Sequence, residues 1–166
     1  MHSRFLKHSA TLLACLFFLG CFSLGCEGRE EEQEILSTLE QTVKGLEHGN
    51  AQDLMKYTTK DFIAHPGKLN RWSSTKELYL LSRQHGPFSV LYPIPEIDLH
   101  ETAQGASLSM PFIIVAAGVT SPALDDLADN PEAWTDYAKK HTEVYRLELS
   151  LVKKGERWLA DSARFF

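Results

Sequence analysis

Of the side chains in this sequence that could do chemistry, His65 has the most suggestive setting. It stands directly before Pro66 and one helical turn's worth of chain after Asp61. An imidazole titrates near neutrality, at about 6.5, so His65 could take a proton as a general base with Asp61 assisting. The plainer alternative is a turn residue ahead of a proline. The remaining histidines beyond the N-terminal segment, His48, His85, His100 and His141, form no pair at the spacing of a zinc site and have no cysteine partner, so no metal is expected. Asp125, Asp126 and Asp129 cluster but lack the glycine and closing glutamate of a calcium loop. Ser73 and Ser74 are accounted for by helix capping. Neither a Gly-x-Ser-x-Gly elbow nor a phosphate loop occurs, and no cofactor is expected. Tyr57, Trp72, Met110, Phe112, Tyr145 and Trp158 suit either the lining of an apolar pocket or ordinary core.

The cysteines tell more about address than about chemistry. Cys15, Cys21 and Cys26 all lie in an N-terminal segment with Arg4 and Lys7 ahead of an apolar run from Ala10 to Leu24. That layout is an export signal, and the run is short of the about 20 apolar residues a spanning helix needs. It resembles the bacterial lipoprotein signal, in which a small residue precedes a cysteine that is lipidated and becomes the new N-terminus. Leu24-Gly25-Cys26 fits this better than Leu19-Gly20-Cys21, because a cut at Cys21 would leave Phe22, Leu24 and a free thiol on the exported chain. Several acyl chains on Cys26 would anchor the protein stably, which one chain does not. By the same resemblance, Glu27 rather than aspartate after the cysteine favours the outer membrane, facing the periplasm.

Once Arg4 and Lys7 leave with the leader, the formal net charge of −5 becomes more negative still. Nucleic acid and anionic lipid need a basic face, so neither is expected as a partner. What remains has the length of one domain.

The elements that must position these residues follow from periodicity. Residues 27–34 are acidic, have no apolar residue and read as a tether running from Cys26. From Glu34 to His48, Ile35, Leu36, Leu39, Val43 and Leu46 recur at helical spacing, and Gly49 stops the helix. Asn50 opens a second short helix with Asp53 reaching back. Asp61 to Ala64 reads as a short extended piece, and a third helix is predicted from a Ser74 capping box to His85. Beyond Pro87 the period changes to two. Ile97 and Leu99 mark one strand, and Ala106, Leu108, Met110, Phe112 and Ile114 mark the inner face of another, with Pro111 requiring an edge or a bulge. Tyr145 to Leu151 and Arg157 to Phe165 form a last hairpin around Lys154-Gly155. Between the hairpins, residues 117–141 are an insertion in which Asn130-Pro131 starts a helix carrying Trp134 and Tyr137. Helices first and strands after predict an α+β fold, with three helices on one face of a curved antiparallel sheet of about four long strands.

This order, with the helix break before Asp53, the segment Tyr57 to Gly67 and a terminal strand carrying Trp158, resembles the nuclear transport factor 2-like superfamily over residues 33–166. The resemblance implies a cone whose open end is a pocket, used by isomerases and dehydratases and by noncatalytic binding members. In the isomerases a tyrosine stands nine residues ahead of a proline that directly follows the general base. Tyr57 and Pro66 keep that interval, which puts His65 at the base position. Thr42 stands where the oxyanion-holding tyrosine would be, and the run Leu108 to Ile114 offers no acid as second donor. Each missing donor removes about 10²–10³ in rate. The expectation is therefore a lipid-anchored, noncatalytic domain that binds an apolar small molecule or a protein partner, with a homodimer through the sheet as a further option. The alternative is a small isomerase-like or dehydratase-like enzyme using His65 in the cone pocket.

Overall fold

In the computed structural model, which describes residues 27–100 and 104–166, the glutamate-rich stretch is helical from its first residue. Helix α1 runs Glu27–Glu47, so the tether expected to Glu34 is helix from Glu27 onward. Glu, Gln and Arg lose little side-chain freedom in a helix, which makes the polar run Arg29 to Glu34 as helix-prone as an apolar one, with Gly28 confined to the first turn. Cys21 and Cys26 lie outside the described residues. The chain divides into two units between Ile35 and Leu36, and the second, Leu36–Phe166, carries the fold.

Gly49, with φ of 64°, ends α1. Its amide and that of Asn50 close back on the carbonyls of Leu46 and Gly45 at 3.0 and 2.8 Å, and only glycine takes this left-handed turn without cost. Asn50 then caps helix α2, Ala51–Lys56, accepting from the Gln52 amide. Strand β1, Thr58–His65, turns through Pro66 and Gly67 into the two-residue strand β2, Leu69–Asn70. Helix α3 runs Arg71–His85. It starts three residues before the expected Ser74, because the Asn70 carboxamide accepts from the Ser73 amide at 3.0 Å. Ser74 and Thr75 sit buried in the first turns, their hydroxyls donating to the carbonyls of Leu69 and Arg71. Capping thus belongs to Asn70, which serves as well as serine.

The sheet adds β3 (Phe88–Leu91), β4 (Glu96–Leu99), β5 (Gly105–Ala116), β6 (Tyr145–Lys154) and β7 (Arg157–Phe165). Its order is β2-β1-β7-β6-β5-β3, with β4 also pairing β5. One pairing differs from the all-antiparallel expectation: β1 and β7 run parallel. They lie at opposite ends of the domain's sequence, so a long crossover rather than a hairpin joins them.

Strand β5 organises the core. Ala106, Leu108, Met110 and Phe112 are buried on the face that also receives Phe62, Ala64, Leu147, Leu151, Trp158 and Ala163, and the helices pack over this curved face. After Phe112 the alternation slips. Ile113 is buried in its turn, and Ile114, expected inward, is 50% exposed. The reason lies in the partner strand: β4 covers β5 only to Ser109 and β3 begins at Ile113, so Pro111 falls where β5 has no neighbour on that side. A proline lacks an amide to donate, so it sits at such a local edge without loss. Past this break Ile113 packs with Leu124, Trp134 and Ala138 in a second core cluster.

That cluster is built from the expected insertion. Helices α4 (Pro122–Asp125) and α5 (Pro131–Ala138) lie within it, and Asn130 caps α5 by accepting from the Ala133 amide at 3.0 Å. Glu47 at the end of α1 accepts from the Val90 amide at 2.7 Å, tying α1 to β3.

Candidate functional site

A strand pairing that buries alternate residues necessarily presents the others on the opposite face. Here register aligns them into rows. One row crosses Glu96 (β4), Ser109 (β5), Glu148 (β6), Arg164 (β7) and His65 (β1); the next crosses Asp98, Ser107, Ser150, Ser162 and Ile63. A trough of about 490 Å³ lies over them. Serines form its floor. Carboxylates stand on β4 and in the middle at Glu148, and the cation Arg164 with the imidazole of His65 stands at the far side. Arg146, two residues before Glu148 on the same face, donates from Nε and Nη2 to the Ser109 hydroxyl at 3.1 and 2.9 Å. His100 Nε2 lies 3.1 Å from the Ser107 hydroxyl.

The irregularity of β7 helps shape this floor. Ser150 pairs Ser162 while Leu151 pairs Ala160, so Asp161 is an extra residue in the ladder, and the Thr59 hydroxyl donates to its carboxylate at 2.9 Å. Such a bulge increases local twist.

The residues singled out from sequence are divided by this geometry. His65 lines the trough, but on the face away from the helices, since its neighbour Ala64 is the one turned into the core. Its cross-strand neighbour is Arg164. Asp61 is exposed and does not line the trough. Thr42 donates to the Thr38 carbonyl at 2.7 Å, its hydroxyl engaged within α1. Met110 and Trp158 are core, as is Phe112. Tyr57 is half-buried, and its carbonyl accepts from the Ala160 amide at 2.8 Å. Trp72 is 69% exposed on α3. Tyr145 is 37% exposed and stacks on Phe112, centroids 5.5 Å apart, with Phe165 edge-on to Phe112 at 6.4 Å. The Tyr145 hydroxyl donates to Glu143, and this hydrogen bond, followed by the carboxylate's charge, raises the phenol's pKa.

Sequence reasoning missed the serines and charges of the trough. A signal was present: the outward partners of Leu108, Met110, Leu149 and Ala163 are mostly serine, where an ordinary solvated strand face carries long charged side chains. Among the described residues, no group of three His, Cys, Asp or Glu side chains is placed to hold a metal ion, and no helix is long and apolar enough to cross a membrane.

No protein-family profile and no curated protein matches this chain. Solved structures do. Bd1075 of Bdellovibrio bacteriovorus aligns with 80% of the chain at 14% identity and a TM-score of 0.58, and the chain spans only 39% of that protein. A proposed scytalone dehydratase from Novosphingobium aromaticivorans aligns with 83% at 11% identity and a TM-score of 0.58, covering 84% of that protein. A nuclear transport factor 2-like protein of unknown function from Pseudomonas putida aligns with 81% at 10% identity, again at 0.58, covering 84% of its length. At such identities the likeness is one of fold, and that fold is the nuclear transport factor 2-like, cystatin-like one.

Proposed function

We propose that this nuclear transport factor 2-like domain is a noncatalytic binding module of the bacterial cell envelope, taking a polar ligand in the trough on the open face of its sheet. The observation that carries this reading is the trough itself, about 490 Å³ and lined by serine and charged side chains. It departs from the apolar ligand expected from the aromatics, because Met110, Phe112 and Trp158 fill the core. His65 in an isomerase-like or dehydratase-like role has less support: it stands beside Arg164, and Thr42 is turned to its own helix. The sheet-to-sheet homodimer would be favoured by an apolar outward face, and the rows here are polar apart from Ile63.

The leader supports a lipid anchor on Cys26, with Cys21 the lesser candidate, and an outer-membrane position facing the periplasm. A protein partner keeps one support, the partly exposed pair Tyr145 and Phe165 beside Phe112. Native mass spectrometry of the full protein extracted from membranes tests both parts. The expected result is an acylated Cys26 and a copurifying polar molecule that is lost in Ser150→Trp, which fills the trough. An unmodified, soluble chain would refute the anchor, and a ligand retained by Ser150→Trp would refute the trough.

A further inference from the structure

Helix α3 buries Ser74 and Thr75, and its other side carries Trp72, 69% exposed, with Tyr79 and Leu80 also exposed. Scattered apolar residues on a surface are ordinary, but these recur at helical spacing with the exposed Lys76 and Arg83 among them. At about 100° per residue the five side chains fall within an arc of about 100°. Glu77, the only acid in the helix, points about 140° away from Trp72. The Arg83 guanidinium lies 5.9 Å from the centre of the Tyr79 ring, and neither Lys76 nor Arg83 has a carboxylate partner among the described residues. The sequence around the stripe has the same sign of charge. From Lys56 to His85 it holds six lysines and arginines against Asp61 and Glu77, in a chain whose formal net charge is −5. An anionic lipid, not expected as a partner from the net charge, therefore meets a locally cationic surface here.

We infer that this stripe of α3 docks on the surface of an anionic phospholipid bilayer, with Trp72 and Tyr79 at headgroup depth and Lys76 and Arg83 on the phosphates. A ring with an apolar body and a polar edge settles at that depth. Long basic side chains reach past it to the headgroups, and an amphipathic helix divided in this way lies in the plane of the interface. The inference rests in part on the reading that the N-terminus is anchored in the envelope, because the stripe alone is a weak membrane ligand. Each basic residue close to an anionic surface strengthens binding about fivefold, and an anchor would supply the high effective concentration at which so weak a contact counts. A second copy of the chain suits the stripe less well, since a two-fold contact would bring this positively charged segment against itself. The orientation also serves the trough. The helices cover one face of the sheet and the trough lies on the other, so docking through α3 leaves the trough open to solvent.

Tryptophan fluorescence reads this contact directly. Trp134 and Trp158 are buried and the leader has no tryptophan, so Trp72 is the one that reports the surface. The full protein is reconstituted into vesicles of phosphatidylcholine alone or mixed with phosphatidylglycerol, with or without bromine on the acyl chains. Phosphatidylglycerol should shift Trp72 emission to the blue and let brominated lipid quench it. Salt at about 1 M, where the Debye length is about 3 Å, should reverse both changes. Lys76→Gln and Arg83→Gln should each lower the docking equilibrium about fivefold and the double variant about thirtyfold, while Trp72→Phe should remove the signal. Circular dichroism checks that each variant is folded. Emission that is the same on both kinds of vesicle, or quenching that the double variant leaves undiminished, would overturn the inference. A blue shift with polyglutamate but not with phosphatidylglycerol would overturn it too, and give the stripe to an acidic protein. Mass spectrometry of the same sample reads the anchor separately. A chain with Cys26 unmodified that still docks on phosphatidylglycerol would overturn the lipid anchor and keep the α3 contact, whereas an acylated chain whose Trp72 stays in water would do the reverse.

Discussion

Tyr92 lies between β3 and β4, partly buried, with Glu40 and Glu47 of α1 nearby. Burial above all, and then these two carboxylates, raise its phenol above the ordinary value near 10. The unfolded chain therefore gives up this proton first as pH rises. The stability linked to Tyr92 is complete below about pH 10 and is lost as pH climbs through the folded value. Tyr92→Phe should flatten the alkaline decline in urea midpoint between about pH 9 and about pH 12. A variant that declines as steeply as the parent would mean that Tyr92 does not carry the effect. His65 shows the other lesson of this scale. Its place before Pro66 is plain from the sequence, but the face on which it stands depends on strand parity. Because Phe62 and Ala64 in the second half of β1 are buried, the alternate residues Ile63 and His65 face outward.

At the level of elements, the hairpin β6–β7, the cap of α5 and the alternation from Ala106 to Phe112 were all legible, since each is a local pattern of spacing or turn chemistry. The start of α3 was less so. Asn70 and Ser74 are both good caps, and the choice between them was settled by β2, which ends at Asn70 and leads straight into the helix. The switch of face at Ile113 had no local signal beyond Pro111, because it depends on β4 giving way to β3. Its consequence is that residues 117–141 contribute Leu124, Trp134 and Ala138 to a second core cluster. Trp134 is 1% exposed, and Trp134→Ala should cost about 3–5 kcal/mol in urea unfolding. Asn130→Ala, which removes the cap of α5, should cost about 1 kcal/mol. A loss well below 1 kcal/mol for Trp134→Ala would show the segment to be peripheral.

For the whole molecule, the leader and the folded unit Leu36–Phe166 raise separate questions. If Cys26 is the lipid site, Cys26→Ser should move the protein from the membrane to the soluble periplasmic fraction on cell fractionation, while Cys21→Ser leaves it membrane-bound. The opposite pattern would assign the anchor to Cys21. Exchange of both cysteines with no change in fractionation would remove the anchor from the proposal. The fold itself does not enter this outcome, because all three cysteines precede Glu27.

The sequence by itself determined the periodic helix α1, the α+β class and the alternation of the long strands. Each of these is written in neighbours a few residues apart, which interact whatever the rest of the chain does. Only the tertiary structure decided which face of the sheet the helices cover and which stays open. It also decided that Glu96, Ser109, Glu148, Arg164 and His65 share one row. Those residues come from five strands, and their alignment depends on register and on bulges such as that at Asp161. A single residue of slip in any one strand would have sent its side chains to the opposite face.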